Sequence, residues 1–116
     1  MSRQLDKAIA EALGYKVGYS LLEYPEGEDC DYWVDELNVR LPHYSTDGHD
    51  MLELDSEMRE RGYKIDVALW EEWKVIYWHD NERISAAIAD TEPLARALAA
   101  YKALTGKEWA EHDRHH

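Results

Sequence analysis

The sequence is short of several residue types, and each shortage excludes a class of protein. The 116-residue chain has no phenylalanine and one cysteine, Cys30, so it cannot close an intrachain disulfide and has no Cys-x-x-Cys metal pattern. A single unpaired cysteine favours a reducing compartment, which predicts a soluble, intracellular protein. The first residues lack the apolar core of a signal peptide, and no run reaches the roughly 18 apolar residues of a membrane span. We therefore expect no membrane partner.

Basic residues are also scarce. The chain has 13 lysines and arginines against 25 aspartates and glutamates, for a formal net charge of −12. A surface that follows a nucleic-acid backbone needs lysine and arginine to replace counterions, so direct DNA or RNA binding is not expected. A small anionic ligand in a local pocket remains open, because net charge does not fix the local potential.

The chain does contain enough apolar residues for one core, since 45% of its residues are hydrophobic, including 5 tryptophans and 8 tyrosines. Its length fits one domain, which we place at 1–106, with a polar tail at 107–116. Apolar spacing predicts three helices, over 2–13, 45–62 and 91–106. Extended segments are predicted over 15–24, 32–41, 63–69, 73–79 and 83–90.

These elements predict an α+β fold. Residues 73–79, "WKVIYWH", are apolar at both alternating sets of positions, which is typical of a strand that is covered on both faces. With three amphipathic helices available, this favours a three-layer α–β–α sandwich. Its sheet is expected to be mainly antiparallel, with about four to five strands.

The segment "LPHYSTDGHD", 41–50, has the highest density of reactive side chains. Ser45, Thr46 and Asp47 are among the best helix N-cap residues, so the first interpretation is the start of a helix. The alternative is a helix N-terminus that receives an anionic ligand, with Tyr44 stacking on it and His43 nearby. The aspartates argue against an anion there.

Neither metal nor nucleophilic chemistry is expected. His43 and Asp47 with His49 and Asp50 are the metal-ligand candidates, but adjacent helical residues do not share a face. Cys30 lies among acidic residues, which disfavour the thiolate, and Ser45 lacks the G-x-S-x-G elbow. We therefore predict no catalytic residue, no metal and no cofactor, and conclude that the chain is not an enzyme.

Residues 23–36, "EYPEGEDCDYWVDE", carry seven acidic groups and no lysine or arginine. One interpretation is a solvated loop. The other is a surface for a basic protein partner, in which carboxylates provide charge and aromatic residues provide anchors. The residues assigned to this partner-binding surface are Glu26, Glu28, Asp29, Asp31, Tyr32 and Trp33.

Three tryptophans, at positions 70, 73 and 78, surround the predicted second hairpin. Most such residues belong to a core, but aromatic residues on a sheet face also stack on bases. The alternative hypothesis is therefore a nucleotide site that a second subunit closes, which makes a homodimer one of the expected partners. Its proposed ligand-binding residues are His43, Tyr44, Trp70, Trp73 and Arg83. The only nearby basic residues for a phosphate are Arg40, Lys64, Lys74 and Arg83.

Three segments together carry a family resemblance: "LPHYSTD" opening a helix that ends in "MRERGY", a tryptophan-rich hairpin, and "IADTEPLARALAAYKAL". In these the chain resembles the phage ABA sandwich domain family over residues 3–106. The resemblance implies an α–β–α layered fold, a phage or prophage origin and the cytoplasm of a host cell. It implies no catalytic residue.

Three functions remain open at this point. The leading one is a non-catalytic accessory protein that occupies a host protein, such as a nucleic-acid-binding defence enzyme, through the acidic and aromatic surface. The second is a small-ligand sponge that sequesters a nucleotide immune signal. The third is a structural or packaging accessory. A counter-defence role follows only from the family context.

Overall fold

The computed structural model describes residues 2–24, 27–37 and 39–109, without the side chains of Ser2 and residues 19–31. Within these ranges it contains three helices and six strands. In chain order they are α1 (Ser2–Ala12), β1 (Val17–Tyr24), β2 (Gly27–Val34), β3 (Val39–Arg40), α2 (Gly48–Glu60), β4 (Tyr63–Leu69), β5 (Trp73–His79), β6 (Glu82–Ala89) and α3 (Glu92–Thr105).

The three predicted helices are confirmed, and their ends follow from local chemistry. The side chain of Asp47 accepts hydrogen bonds at the start of α2, and Thr91 does the same for α3, with a proline in its first turn. Gly106 ends α3 with a φ of 74°, a backbone conformation that glycine adopts without steric cost. No described helix is both long and apolar enough to cross a membrane.

The strands form two antiparallel sheets of three, in the orders β1-β2-β3 and β4-β5-β6, rather than one sheet of four to five. The acidic segment is largely strand, because β2 pairs with β1 along its whole length, from Val17 opposite Val34 to Tyr24 opposite Gly27. The predicted strand 32–41 is broken by a turn at 35–37. The two-residue β3 that follows pairs with β2, and within the described residues it does not pair with β4 of the second sheet.

Helix α3 lies at the centre of the packing. It contacts β5, β6, α1 and α2. Four of its alanines are fully buried, at positions 95, 97, 99 and 100. Because alanine has a small side chain, the helix can lie close to the sheet and to its neighbours. The largest fully buried apolar side chains around it are Leu5, Ile9, Val34, Leu41, Leu54, Met58, Val75 and Tyr77.

The second sheet has one covered face and one open face. Val75 and Tyr77 are buried on the covered face, and the Ser85 hydroxyl there donates to the carbonyl of Ala99 in α3 at 2.7 Å. Helix α2 reaches the same side. Its Asp55 lies 3.5 Å from Arg96 of α3, and the charges of both residues affect the pKa of the buried Tyr77 hydroxyl. The prediction that β5 is covered on both faces is therefore wrong for the described residues, since both helices pack on one side.

Candidate binding surfaces

The start of α2 is a helix cap, as the sequence predicts. Asp47 accepts hydrogen bonds from the backbone N–H groups of His49 at 2.8 Å and Asp50 at 3.1 Å. These bonds favour the carboxylate and lower the pKa of Asp47. The Asp50 carboxylate accepts from the backbone N–H of His43 at 2.8 Å, which fixes the chain as it enters the helix.

The residues just before the cap are structural. Tyr44 and Ser45 are buried, and the Ser45 backbone N–H donates to Asp6 of α1 at 2.9 Å. The other oxygen of Asp6 lies 3.0 Å from Arg3, which also donates to the carbonyl of Leu41 at 2.7 Å. Tyr44 is 3% exposed, so its ring is a core group and not a stacking surface, and this burial raises the pKa of its hydroxyl.

One cluster at this helix start has metal-ligand chemistry. Ligand atoms of His49, Asp50 and Glu53 lie within 4.8 Å of one another. The expectation that His49 and Asp50 point apart is wrong, since the His49 ring nitrogen is 3.6 Å from the Asp50 carboxylate. His49 and Glu53 are exposed, and Asp50 already serves the His43 N–H, so the cluster is explained as surface charge.

The predicted partner-binding surface is only partly within the described residues. Glu26 lies outside them, and Glu28, Asp29 and Asp31 are placed by their backbone in β2 alone. Tyr32 packs on α1: its hydroxyl bonds to the amide of Gln4 at 3.0 Å, and Lys7 lies 5.5 Å from the ring centre. Trp33 is half-buried. The acidic surface therefore remains a prediction, and Tyr32, one of its two aromatic residues, packs against α1 of the same chain.

The predicted nucleotide-binding residues are not brought together. Tyr44 lies in the core, while His43 is exposed at the start of α2. Trp70 is 87% exposed at the turn between β4 and β5. Trp73 pairs with Ala89 at one end of the second sheet, whereas Arg83 pairs with Trp78 at the other end. Because the β5–β6 register separates Trp73 from Arg83, these residues do not form one site within a single chain.

What the fold does assemble is the open face of the second sheet. Strand pairing places Lys64, Trp78 and Arg83 in one row across the three strands, beside a bulge in β6. The next rows are Asp66, Ile76 and Ala86, and then Ala68, Lys74 and Ile88. We call these nine residues the open face.

The open face combines apolar side chains with unpaired cations. Ile88 is 56% exposed, and Ile76, Trp78 and Ala86 are half-buried. Among the described residues, Lys64, Lys74 and Arg83 make no ion pair, in contrast to Arg59, which pairs with Asp55 at 2.9 Å. The Trp78 indole N–H donates to Asp66 at 2.8 Å, so that carboxylate is already engaged.

Two depressions border this face. One, of about 480 Å³, is lined by Gly62, Lys64, Asp66, Trp78, Asp80 and Asn81. The other, of about 490 Å³, runs along β6 and is lined by residues of the open face together with Leu98, Lys102, Glu108 and Trp109. Trp109 is held there against Tyr101, with ring centres 5.2 Å apart. Residues after position 109 lie outside the description.

The site residues predicted from the sequence do not include Trp78, which lies at the centre of this face. Lys64 and Lys74 appear in that prediction only as nearby cations. Alternation along β4 and β5 separates Lys64 from Ile65 and Trp78 from Tyr77, so a part of this face could be found from period two alone. The register between strands, which puts the three residues of the first row side by side, is not visible in the sequence.

Comparison with known proteins supports the fold. No protein-family model matches the chain, and no curated protein matches it. A solved structure, the 2.0 Å crystal structure of a phage protein from Bacillus cereus ATCC 14579, is similar with a TM-score of 0.66. It is 18% identical, and the match covers 95% of this chain and 92% of that one. At this identity the likeness establishes a shared fold and nothing finer.

Proposed function

We propose that this chain is a phage-encoded accessory protein that binds a partner without catalysing a reaction. Two separate observations support the phage origin. The motifs at 41–47 and in α3 resemble a phage domain family, and a phage protein from Bacillus cereus has the same fold. A counter-defence role in the host cytoplasm is consistent with this origin and rests on association alone.

The observation that carries the binding proposal is the open face. A sheet face that no described helix covers normally carries polar residues, yet this one exposes Ile88 and leaves Ile76 and Ala86 half-buried. Apolar side chains beside unpaired cations are typical of an interface, where the apolar part supplies burial and the charges select the partner.

The charge of the open face selects an acidic partner protein. Lys64, Lys74 and Arg83 present three positive charges, whereas Asp66 is the one carboxylate and accepts the Trp78 N–H. The acidic residues Glu26, Glu28, Asp29 and Asp31 supply a second proposed surface, of opposite sign, for a basic host protein such as a nucleic-acid-binding enzyme. The two surfaces make different predictions and can be tested separately.

Affinity capture from host lysate, followed by mass spectrometry, tests both surfaces with matched variants. Lys64→Glu combined with Lys74→Glu reverses two charges of the open face on exposed positions, so the fold is expected to survive. The second variant neutralises the acidic segment by Glu26→Gln, Glu28→Gln, Asp29→Asn and Asp31→Asn. Lys16→Glu with Lys107→Glu is the control, since both residues are exposed and lie off the open face.

We expect the open-face variant to lose a captured acidic protein that wild type and the control variant retain. Loss of a basic protein in the acidic-segment variant alone would instead support the surface predicted from the sequence. Capture of the same proteins by all four chains would refute both binding surfaces. Circular dichroism of each variant checks that the fold is retained.

A second candidate function, a nucleotide-binding sponge, is favoured by the row of Lys64, Trp78 and Arg83. An aromatic side chain with a cation on each side can stack on a base and hold a phosphate. Tryptophan fluorescence should then change on titration with cyclic nucleotides in phosphate-free buffer, and Trp78→Phe should abolish the change. An unchanged signal in wild-type protein at millimolar nucleotide would contradict this candidate.

A further inference from the structure

Among the described residues, strand β6 has one edge that no other strand pairs with. On one side it pairs with β5, and no described strand pairs with its other side. From Ile84 to Ala89 the sequence is "ISAAIA", with no charge and no proline. The opposite edge strand, β4, carries Lys64 and Asp66 in its middle. Free strand edges with unpaired backbone groups are ready to accept another strand, and charges or proline normally prevent this.

The sequence of β6 is nearly symmetric about Ala86. Ile84 and Ile88 lie two residues before and after it, with Ser85 and Ala87 between. If two copies of β6 paired antiparallel about Ala86, Ile84 of each copy would lie opposite Ile88 of the other. Residues directly opposite in an antiparallel ladder share a face, so this register places apolar residues against apolar residues.

The same register matches charges at both ends. The bulge in β6 puts Arg83 on the open face, so the regular ladder ends at Ile84, and Arg83 would lie just beyond it, near Asp90 of the second copy and within reach of its carboxylate. Glu82 belongs to the same end of the strand, so the Arg83 guanidinium is the cation that offsets two carboxylates. Arg83 and Asp90 are exposed, and neither forms an ion pair within the described residues.

From these features we infer that the chain forms a two-fold symmetric homodimer through β6, which joins two three-stranded sheets into one sheet of six. The contact is isologous, so each Arg83–Asp90 pair occurs twice. The depression of about 490 Å³ along β6 leaves room for side chains of the second strand. Pairing through the open faces is disfavoured, because it would bring the cations of one copy against those of the other.

Analytical ultracentrifugation of the full chain over a range of concentrations tests the dimer. Ile88→Asp places a charge in the proposed ladder, and Leu69→Asp is its matched control on the other edge strand. The two side chains are 56% and 57% exposed, so both substitutions have similar consequences for folding. We expect Ile88→Asp to raise the dimer dissociation constant about tenfold, because a charge would replace one residue in each of the two Ile84–Ile88 cross-strand pairs of the dimer, and Leu69→Asp to leave it unchanged.

A charge exchange tests the register. Arg83→Asp alone and Asp90→Arg alone should each weaken self-association, since like charges then meet at both ends. A mixture of the two single variants should form a heterodimer, because each end then joins an arginine to an aspartate. The double variant Arg83→Asp/Asp90→Arg should also dimerise.

The outcomes are decisive in both directions. Wild-type protein that stays monomeric at millimolar concentration would overturn the dimer. A wild-type dimer that Leu69→Asp weakens as much as Ile88→Asp would overturn the placement at β6. A dimer whose single charge variants fail to combine would overturn the register. None of these measurements uses a partner or nucleotide, so they are independent of the function proposed above.

Discussion

Replacing Asp6 with alanine is the sharpest test of how the segment 41–45 is held. Asp6 is fully buried and accepts hydrogen bonds from the backbone N–H of Ser45 at 2.9 Å, from the Ser45 side chain and from the Arg3 guanidinium at 3.0 Å. Its removal leaves the Ser45 N–H without its acceptor in a buried position. An orphaned buried donor costs about 1–3 kcal/mol.

The loss of charge on Asp6 adds a smaller amount. Arg3 is 23% exposed and keeps the carbonyls of Leu41 and Pro42 as acceptors, at 2.7 and 3.1 Å. Because a partly solvated charge with remaining partners loses less than a fully buried one, we assign this part about 1 kcal/mol. The expected decrease in the free energy of unfolding is therefore about 3 kcal/mol in total.

Urea denaturation followed by circular dichroism measures this decrease, and Asp50→Ala is the matched control. Asp50 also accepts a backbone N–H of the same segment, that of His43 at 2.8 Å, but its side chain is 24% exposed. Water can replace the lost bond there, so the cost should stay below about 1 kcal/mol. Equal losses in the two variants would refute the argument that burial of Asp6 sets the magnitude.

Three further predictions follow from single side chains. Burial raises the pKa of Asp6 above its ordinary value of 3.8, so the stability that this shift contributes is full below the unfolded pKa and is lost as pH rises through the folded pKa. The unfolding free energy of wild type minus that of Asp6→Asn should therefore fall as pH rises through that window, and a flat difference would contradict this. Asp47→Ala should lower the melting temperature by removing the α2 cap, whereas Thr46→Ala should not, and equal melting temperatures of the two variants would exclude the cap. The Tyr77 hydroxyl is buried without a hydrogen-bond partner among the described residues, so Tyr77→Phe should stabilise the protein by about 1 kcal/mol in urea titrations, and destabilisation would show that the hydroxyl is bonded.

The helices and the second sheet were predictable because their signals are local. The strands over 63–69 and 73–79 are found where the alternation and tryptophan content predict them, and the caps Asp47 and Thr91 follow from residue type. The first half of strand β2 is not predicted from the sequence, because aspartate and glutamate have low strand propensity and the strand forms through its pairing with neighbouring strands, mainly β1.

That this face stays uncovered was not predictable, for a different reason. Apolar residues on both faces of β5 indicate a strand covered on both sides, yet the helices α2 and α3 both pack on the face of Tyr77. A sequence reports how apolar each strand is, but not which molecule covers it. Apolar residues on both faces of a strand are explained equally well by burial within the fold and by burial against a partner.

The distribution of charge limits what one partner can do. The net charge of −12 should repel an acidic protein at long range, but screening at physiological salt confines such effects to about 8 Å. At contact, Lys64 and Arg83 dominate the open face, since they lie on either side of Trp78, only two strand spacings apart. The described acidic residues of the segment 23–36 belong to the other sheet or to the turn at 35–37, and they are proposed to attract the opposite class of protein. A single uniformly charged partner therefore fits only one of the two surfaces, and a molecule that contacts both must itself carry segregated charge.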